Sequence, residues 1–149
     1  MWDEADLDQL AGVIQFVHER IGPAVGGART EGAWIRVDGT VEMLASGSRT
    51  PWFAETEMKL IRLGGREMAG ALARHIEIQF VVRMSAMGID HAILALDGPP
   101  CGSRPPVSKW QCHRRLPAVI RALCPDATLT VVSPDGQRWE YSEKGRQLV

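Results

Sequence analysis

The sequence predicts an α/β domain of three layers, with a mixed sheet of five strands between helices. Three observations carry this expectation. Residues 91–96, "HAILAL", form a continuous apolar run of strand length, as expected for a strand buried on both faces at the centre of a sheet. Apolar residues recurring at three and four positions mark helices on either side of that run. Short alternating runs around Asp-Gly turns supply the remaining strands, the last two as an antiparallel hairpin at the C-terminal end. The resulting order, α, β, β, helix, β, helix, β, β, is that of a helix-covered sheet.

Local chemistry predicts each element. Over residues 4–21, Leu7, Leu10, Ile14, Val17 and Ile21 form an apolar stripe, Asp3, Glu4 and Asp6 favour the positive end of a helix dipole, and Gly22-Pro23 stops the helix. "AWIRVDGTVEML" predicts strands at about 33–37 and 41–45 around the Asp38-Gly39 turn. "ASGSRTPWF" is a loop, with a short helix over 54–63 before Gly64-Gly65. Residues 74–87 exceed the length of a typical strand and end at Gly88, so they predict a helix. "DGPPCGSRPPVSKW" is a Pro-rich loop, after which Leu116, Val119, Ile120 and Leu123 mark a helix over 112–123, ended by Cys124-Pro125. "TLTVV" and "RWEY" flank Pro134-Asp135-Gly136 and close the chain's last hairpin.

Composition narrows the functional classes. A chain of 149 residues suits a single domain with an adequate core. It contains no apolar run near the ~18 residues of a membrane span and no basic-then-apolar leader. The net charge of −1 excludes a protein coated in positive charge for duplex DNA. Residues 1–73 hold 7 Lys/Arg against 11 Asp/Glu, whereas residues 74–149 hold 10 against 7. Part of that second excess is a run of Arg104, Lys109, Arg114, Arg115 and Arg121 with no acid between them, a modest patch for an anionic ligand. Cys101, Cys112 and Cys124 are an odd number, which disfavours a disulfide framework and leaves metal binding or burial.

Placed on these elements, His75 and Glu77 open one helix, Cys101 lies in the loop leaving the central strand, and Cys112 opens the next helix. All four fall at one end of the sheet, where open α/β sheets bind ligands. One imidazole and two thiolates make a three-ligand zinc site of the catalytic kind, with the fourth position left to water. A carboxylate that does not bind the metal, Glu77, can then carry a proton to the substrate. Residues two apart on a continuous helix lie about 200° apart around its axis, so His75 and Glu77 converge only if the helix begins within a residue or two of position 75. His113 points about 100° away from Cys112 and is not expected as a fourth ligand. Cys124 is expected as a buried thiol, and His18 and His91 as structural or exposed residues.

H-x-E followed by P-C-x-x-C is the pattern of zinc-dependent nucleobase deaminases. Here it stands as His75-Ile76-Glu77, Pro100-Cys101 and Cys112, with ten residues between the cysteines instead of two. "GAWIRVDGTVEMLASGS", "ARHIEIQFVVRMSAMGIDHAILALDGPPCG" and "WQCHRRLPAVIRALCPDATLTVV" together resemble the DddA-like bacterial deaminase toxins, over about residues 32–136. The resemblance implies a cytidine-deaminase-like fold in one domain, with an N-terminal helix in residues 1–23 and a deaminase core in 32–142. It implies hydrolysis of cytosine to uracil in DNA, with His75, Cys101 and Cys112 as zinc ligands and Glu77 as proton shuttle. It also implies a monomeric toxin domain of a larger secreted bacterial protein, acting in the target cell's cytoplasm and neutralised by a cognate immunity protein.

A base inside a duplex cannot reach such a site without being flipped out, and near-neutral charge offers little to offset that cost, so single-stranded DNA is the expected substrate. Trp52, Phe53 and Trp110 are candidate stacking platforms in loops flanking the site, and Arg104 and Lys109 candidate phosphate contacts. Duplex DNA, RNA or a free nucleoside remain as alternative substrates. An inactive binding module that keeps zinc only for folding is the non-enzymatic alternative.

Overall fold

The computed structural model describes residues 4–22, 30–101 and 110–149. Its elements in order are α1 (Glu4–Ile21), β1 (Glu31–Ile35), β2 (Val41–Ala45), α2 (Phe53–Gly64), α3 (Arg66–Leu72), α4 (Ile76–Met87), β3 (His91–Leu96), α5 (Cys112–Leu123), β4 (Thr128–Val132), β5 (Arg138–Ser142) and β6 (Gly145–Leu148). The strands form one open mixed sheet in the order β2-β1-β3-β4-β5-β6. Among the described pairs only β3 and β4 run parallel, joined by the crossover that contains α5.

The three-layer α/β arrangement is the one the sequence predicts. Leu7, Leu10, Ile14 and Val17 of α1 are buried against Ala33 and Ile35 of β1, Ile93 and Ala95 of β3 and Val132 of β4. The opposite sheet face carries Ala92, Leu94 and Leu96 of β3 and Leu129 and Val131 of β4, packed under α4 and α5. Because successive side chains on a strand point to opposite faces, the continuous apolar run of β3 serves both cores at once. α4 ends at Gly88, whose φ of 68° is the left-handed cap conformation that glycine adopts without strain. Among the described residues no helix is long and apolar enough to cross a membrane.

Three expectations are corrected. The first strand spans 31–35 and not 33–37, because the Asp38-Gly39 turn begins earlier: Arg36 accepts from the Gly39 N–H and donates to the Thr40 carbonyl. The sheet has six strands and not five, since "GRQL" pairs with β5 through a tight turn at Glu143-Lys144. That strand is an exposed edge with no apolar alternation, so it carries no sequence signal. A further helix, α3, follows Gly65, whose φ of 88° turns the chain between α2 and α3. It is only seven residues long, and its burial rests on Met68, Ala69 and Leu72.

The carboxyl ends of β2, β3 and β4 lie at one end of the sheet, as the register Glu31↔Ala45, Gly32↔Leu96 and Ala95↔Val132 requires. Gly32 lies beneath the start of α4. A Cβ there would come within 2.8 Å of the Ala95 carbonyl oxygen and of Leu96 Cδ2, and 3.5 Å from Ile76 Cδ1. The missing side chain therefore leaves room for the Ala95 carbonyl and the Leu96 side chain of β3, while Ile76 of α4 lies at ordinary contact distance above.

Candidate active site

His75 is the N-cap of α4, with φ −77° and ψ 137°. Its N–H donates to the Leu72 carbonyl at 3.1 Å, and its own carbonyl accepts the Gln79 N–H at 3.0 Å. An extended residue is free of the 100° step that governs the helix. His75 and Glu77 therefore converge although they are two residues apart, and α4 begins at Ile76, where this convergence requires it to begin.

Cys101 follows the carboxyl end of β3, and Cys112 is the first residue of α5. The Cys101 carbonyl accepts the His113 N–H at 2.8 Å, so one main-chain bond ties the two cysteine-bearing segments together and satisfies an N–H of the first turn of α5. The ligand atoms of His75, Cys101 and Cys112 all lie within 4.8 Å of one another. Tetrahedral bonds of about 2.0–2.3 Å place ligand atoms roughly 3.5–3.8 Å apart. The cluster thus needs to contract by no more than about 1.3 Å to close on a metal ion, and two sulfurs with one imidazole are a donor set that zinc accepts.

The electrostatics are those of a compact, polarised group. Hydrogen bonds from the Cys112 thiol and from His75 lower the Cys101 thiol to about 4, so it is a thiolate at neutral pH. The same partnership with Cys101 raises His75 against the effect of burial, and the Ala71 carbonyl in α3 accepts a further hydrogen bond from its ring. Burial first, and then Cys101, pushes the Cys112 thiol well up. Glu77 is only 3% exposed. Desolvation raises its carboxyl, opposed by the nearby His75 charge. A carboxyl in that setting holds a proton to higher pH than one in water.

The aromatic candidates part company. Trp52 is the N-cap of α2 and lines a cleft beside α4. Phe53 is the first residue of α2, not a loop residue, and packs against the main core. Trp110 precedes α5, half-buried, with the Arg115 guanidinium 4.6 Å from its ring centre. Arg104 and Lys109 lie outside the described residues. His113 is turned away from the cluster, its Nδ1 2.9 Å from the Tyr141 hydroxyl and its ring edge-on to Trp139. Cys124 stands apart at the C-cap of α5, only half-buried, and desolvation raises its thiol to about 11. The His18 ring reaches the Val132 carbonyl at 3.2 Å on the far side of the sheet.

Sequence reasoning missed Gln79. Its Nε2 donates to the carbonyls of Gly47 and Ala73, each at 2.9 Å, and its Oε1 accepts from the Thr50 hydroxyl at 2.6 Å. The amide thus ties the loop after β2 to the corner between α3 and α4 that presents His75. The available signal was a lone amide inside the apolar run Ile76–Val82, since a buried amide must find partners.

At the carboxyl ends of its strands the open α/β sheet gathers one histidine and two cysteines that could hold a metal ion, with a buried carboxyl beside them. The family model of the SCP1.201-like deaminases matches residues 11–147, and the chain belongs to that family. No curated protein matches the chain.

Proposed function

We propose that the domain is a zinc-dependent cytosine deaminase acting on single-stranded DNA, with His75, Cys101 and Cys112 as the zinc ligands. The observation that carries this reading is the position of Glu77, a desolvated carboxyl with raised proton affinity in the immediate electrostatic field of all three candidate ligands. A zinc site that served only folding has no use for such a group beside it.

Zinc held by these side chains supplies a water acidified toward neutrality. Glu77 takes a proton from the attacking water as its oxygen adds to C4 of cytosine, and delivers it to ring N3. The same carboxyl then carries the second proton to the departing amine, so that cytosine and water become uracil and ammonia. Burial supports this role, because it raises the carboxyl of Glu77 and so favours its protonated form.

The preference for single strands follows from the charge of −1, which gives the protein little with which to offset the few kcal/mol of unstacking a base. The resemblance to the DddA-like toxins supports a role as the toxin domain of a secreted bacterial protein, delivered to a target cell's cytoplasm and held by an immunity protein in the producer. The test is uracil formation in matched single- and double-stranded oligonucleotides carrying one cytosine, with Glu77→Gln and a zinc chelator as controls. Uracil in the single strand, lost in both controls, is the expected result. Equal activity on the duplex rejects the strand preference, and no activity from zinc-loaded protein on any cytosine substrate rejects the deaminase reading.

A further inference from the structure

Two of the three candidate metal ligands are cysteines, and the fold keeps their sulfurs together. The sulfurs of Cys101 and Cys112 lie within 4.8 Å of each other, and the Cys112 thiol donates a hydrogen bond to the Cys101 sulfur. Two further bonds hold the segments that carry them. The His113 N–H donates at 2.8 Å to the Cys101 carbonyl, and the His113 Nδ1 lies 2.9 Å from the Tyr141 hydroxyl of β5. Because His113 directly follows Cys112, the start of α5 cannot drift from the Cys101 segment without breaking the first of these bonds.

A disulfide needs its sulfurs about 2.05 Å apart, so these two must close by at most about 2.8 Å. A step between staggered rotamers carries a cysteine sulfur about 3 Å, enough to span that gap without moving the main chain. The two sulfurs differ in access: Cys101 is half-buried and reachable from solvent, whereas Cys112 is fully buried beside it. That is the arrangement of an attacking thiol backed by a resolving one. Cys124 stands at the C-cap of α5, about 18 Å along the helix axis from Cys112, with its sulfur 3.9 Å from the Val81 carbonyl, and takes no part.

We infer that Cys101 and Cys112 of the metal-free domain form a reversible disulfide that shuts the candidate site to zinc, so that zinc loading waits on reduction. The oxidant is a low-molecular-weight disulfide, of which oxidised glutathione is the probe. The Cys101 sulfur attacks one sulfur of the reagent, forming a mixed disulfide and expelling one thiol. The Cys112 sulfur then attacks Cys101, forming the internal S–S bond and expelling the second thiol. Two protein thiols thereby lose two electrons and two protons, and the reagent becomes two thiols. The bond removes both sulfur ligands at once and leaves His75 alone, too few donors for a tetrahedral zinc site. Such a bond suits the proposed route of a secreted toxin domain: an oxidising compartment keeps the domain closed to zinc, and a reducing cytoplasm frees both sulfurs. The inference rests on the zinc-ligand reading above and adds a control on the loading of that site.

The test exposes the domain, metal-stripped and zinc-loaded, to oxidised glutathione and counts free thiols with time. The metal-stripped domain is expected to fall from three free thiols to one, with the intact mass lower by two hydrogens and a linked peptide pair containing Cys101 and Cys112. The zinc-loaded domain is expected to react at least about tenfold more slowly, because both sulfurs are then bonded to the metal. A reductant is expected to restore three thiols and stoichiometric zinc uptake, read by competition with a colorimetric indicator. Cys124→Ser is expected to form the same link and Cys101→Ser none. Retention of three thiols, a stable glutathione adduct on Cys101, a link to Cys124, or equal oxidation with and without zinc overturns the inference. A metal-stripped domain that is unfolded by circular dichroism overturns it too, since the fold is what pairs the sulfurs. A reduced domain that binds no zinc rejects the ligand reading, and with it the control of loading, even where the thiol count shows the link.

Discussion

Gln79→Met removes the amide that closes the corner on which the site is built. Gln79 is 6% exposed, and methionine matches its length, so the change isolates the lost hydrogen bonds from packing. The Ala73 carbonyl loses its Gln79 donor where water does not reach, since Ala73 is 1% exposed. Gly47 and Thr50 lie in a half-exposed loop and can turn to solvent. One stranded buried acceptor costs about 1–3 kcal/mol and each solvent-reachable bond about 0.5 kcal/mol, for a total of roughly 2–4 kcal/mol. In a domain of this size that lowers the thermal midpoint by about 4–16 °C. The loosening reaches the ligand, because the Gln79 N–H bonds the His75 carbonyl and the Gly47 N–H bonds the Arg74 carbonyl. Zinc release to a chelator, followed with a colorimetric indicator, is therefore expected to quicken. A midpoint within about 1 °C of wild type refutes the energetic reasoning, and a lowered midpoint with unchanged zinc release refutes the link to the site.

Other consequences are open to direct measurement. Zinc bound as proposed would require neutral His75 and two thiolates, whereas the metal-free site holds a proton on Cys112 and favours one on His75. Both groups have raised pKa values, so the proton-bearing form persists to higher pH and competes with the metal. Zinc affinity should thus rise about tenfold or more per unit between pH 6 and 8, and a flat profile by competition titration contradicts this. Glu77→Gln preserves shape at a buried position and should retain zinc while losing about 10²–10⁴ in kcat; activity within tenfold of wild type removes Glu77 from the chemistry. Gly32→Ala drives a Cβ to 2.8 Å from a backbone oxygen and should destabilise by about 1–3 kcal/mol, visible in denaturant melts. Tyr141→Phe strands a His113 ring nitrogen in a buried setting and should cost about 1–3 kcal/mol without changing zinc stoichiometry.

The parts of this molecule that were legible in the sequence are those whose physics is local. α1 and α5 declare themselves by periodic apolar residues, and β3 by a continuous apolar run, because each buries a face determined by its own spacing. The start of α4 was legible for a different reason: His75 and Glu77 can meet only across a helix end. What stayed hidden depends on distant partners. α3 is too short to show a period, and β6 is held by backbone pairing to β5 with almost no side-chain burial. The cleft beside α4 is assembled from β2, α4 and a loop that is tied down by Gln79, so no single segment contains its pattern.

The ten residues between Cys101 and Cys112 show why motif spacing is a weaker constraint than ligand position. Lengthening a link from two to ten residues is little more than two doublings, at about 0.6 kcal/mol each, so the added closure entropy is roughly 1.4 kcal/mol. Structural zinc in small sites contributes on the order of 10–16 kcal/mol, which dwarfs that cost. What the site cannot tolerate is misplacement of the sulfurs. The His113 N–H bond to the Cys101 carbonyl holds the two ends of the link together whatever lies between them, and the N-terminus of α5 then sets Cys112. An insertion at this point thus adds chain without moving either proposed ligand, which is how the H-x-E and P-C elements can keep their geometry when the P-C-x-x-C spacing is lost.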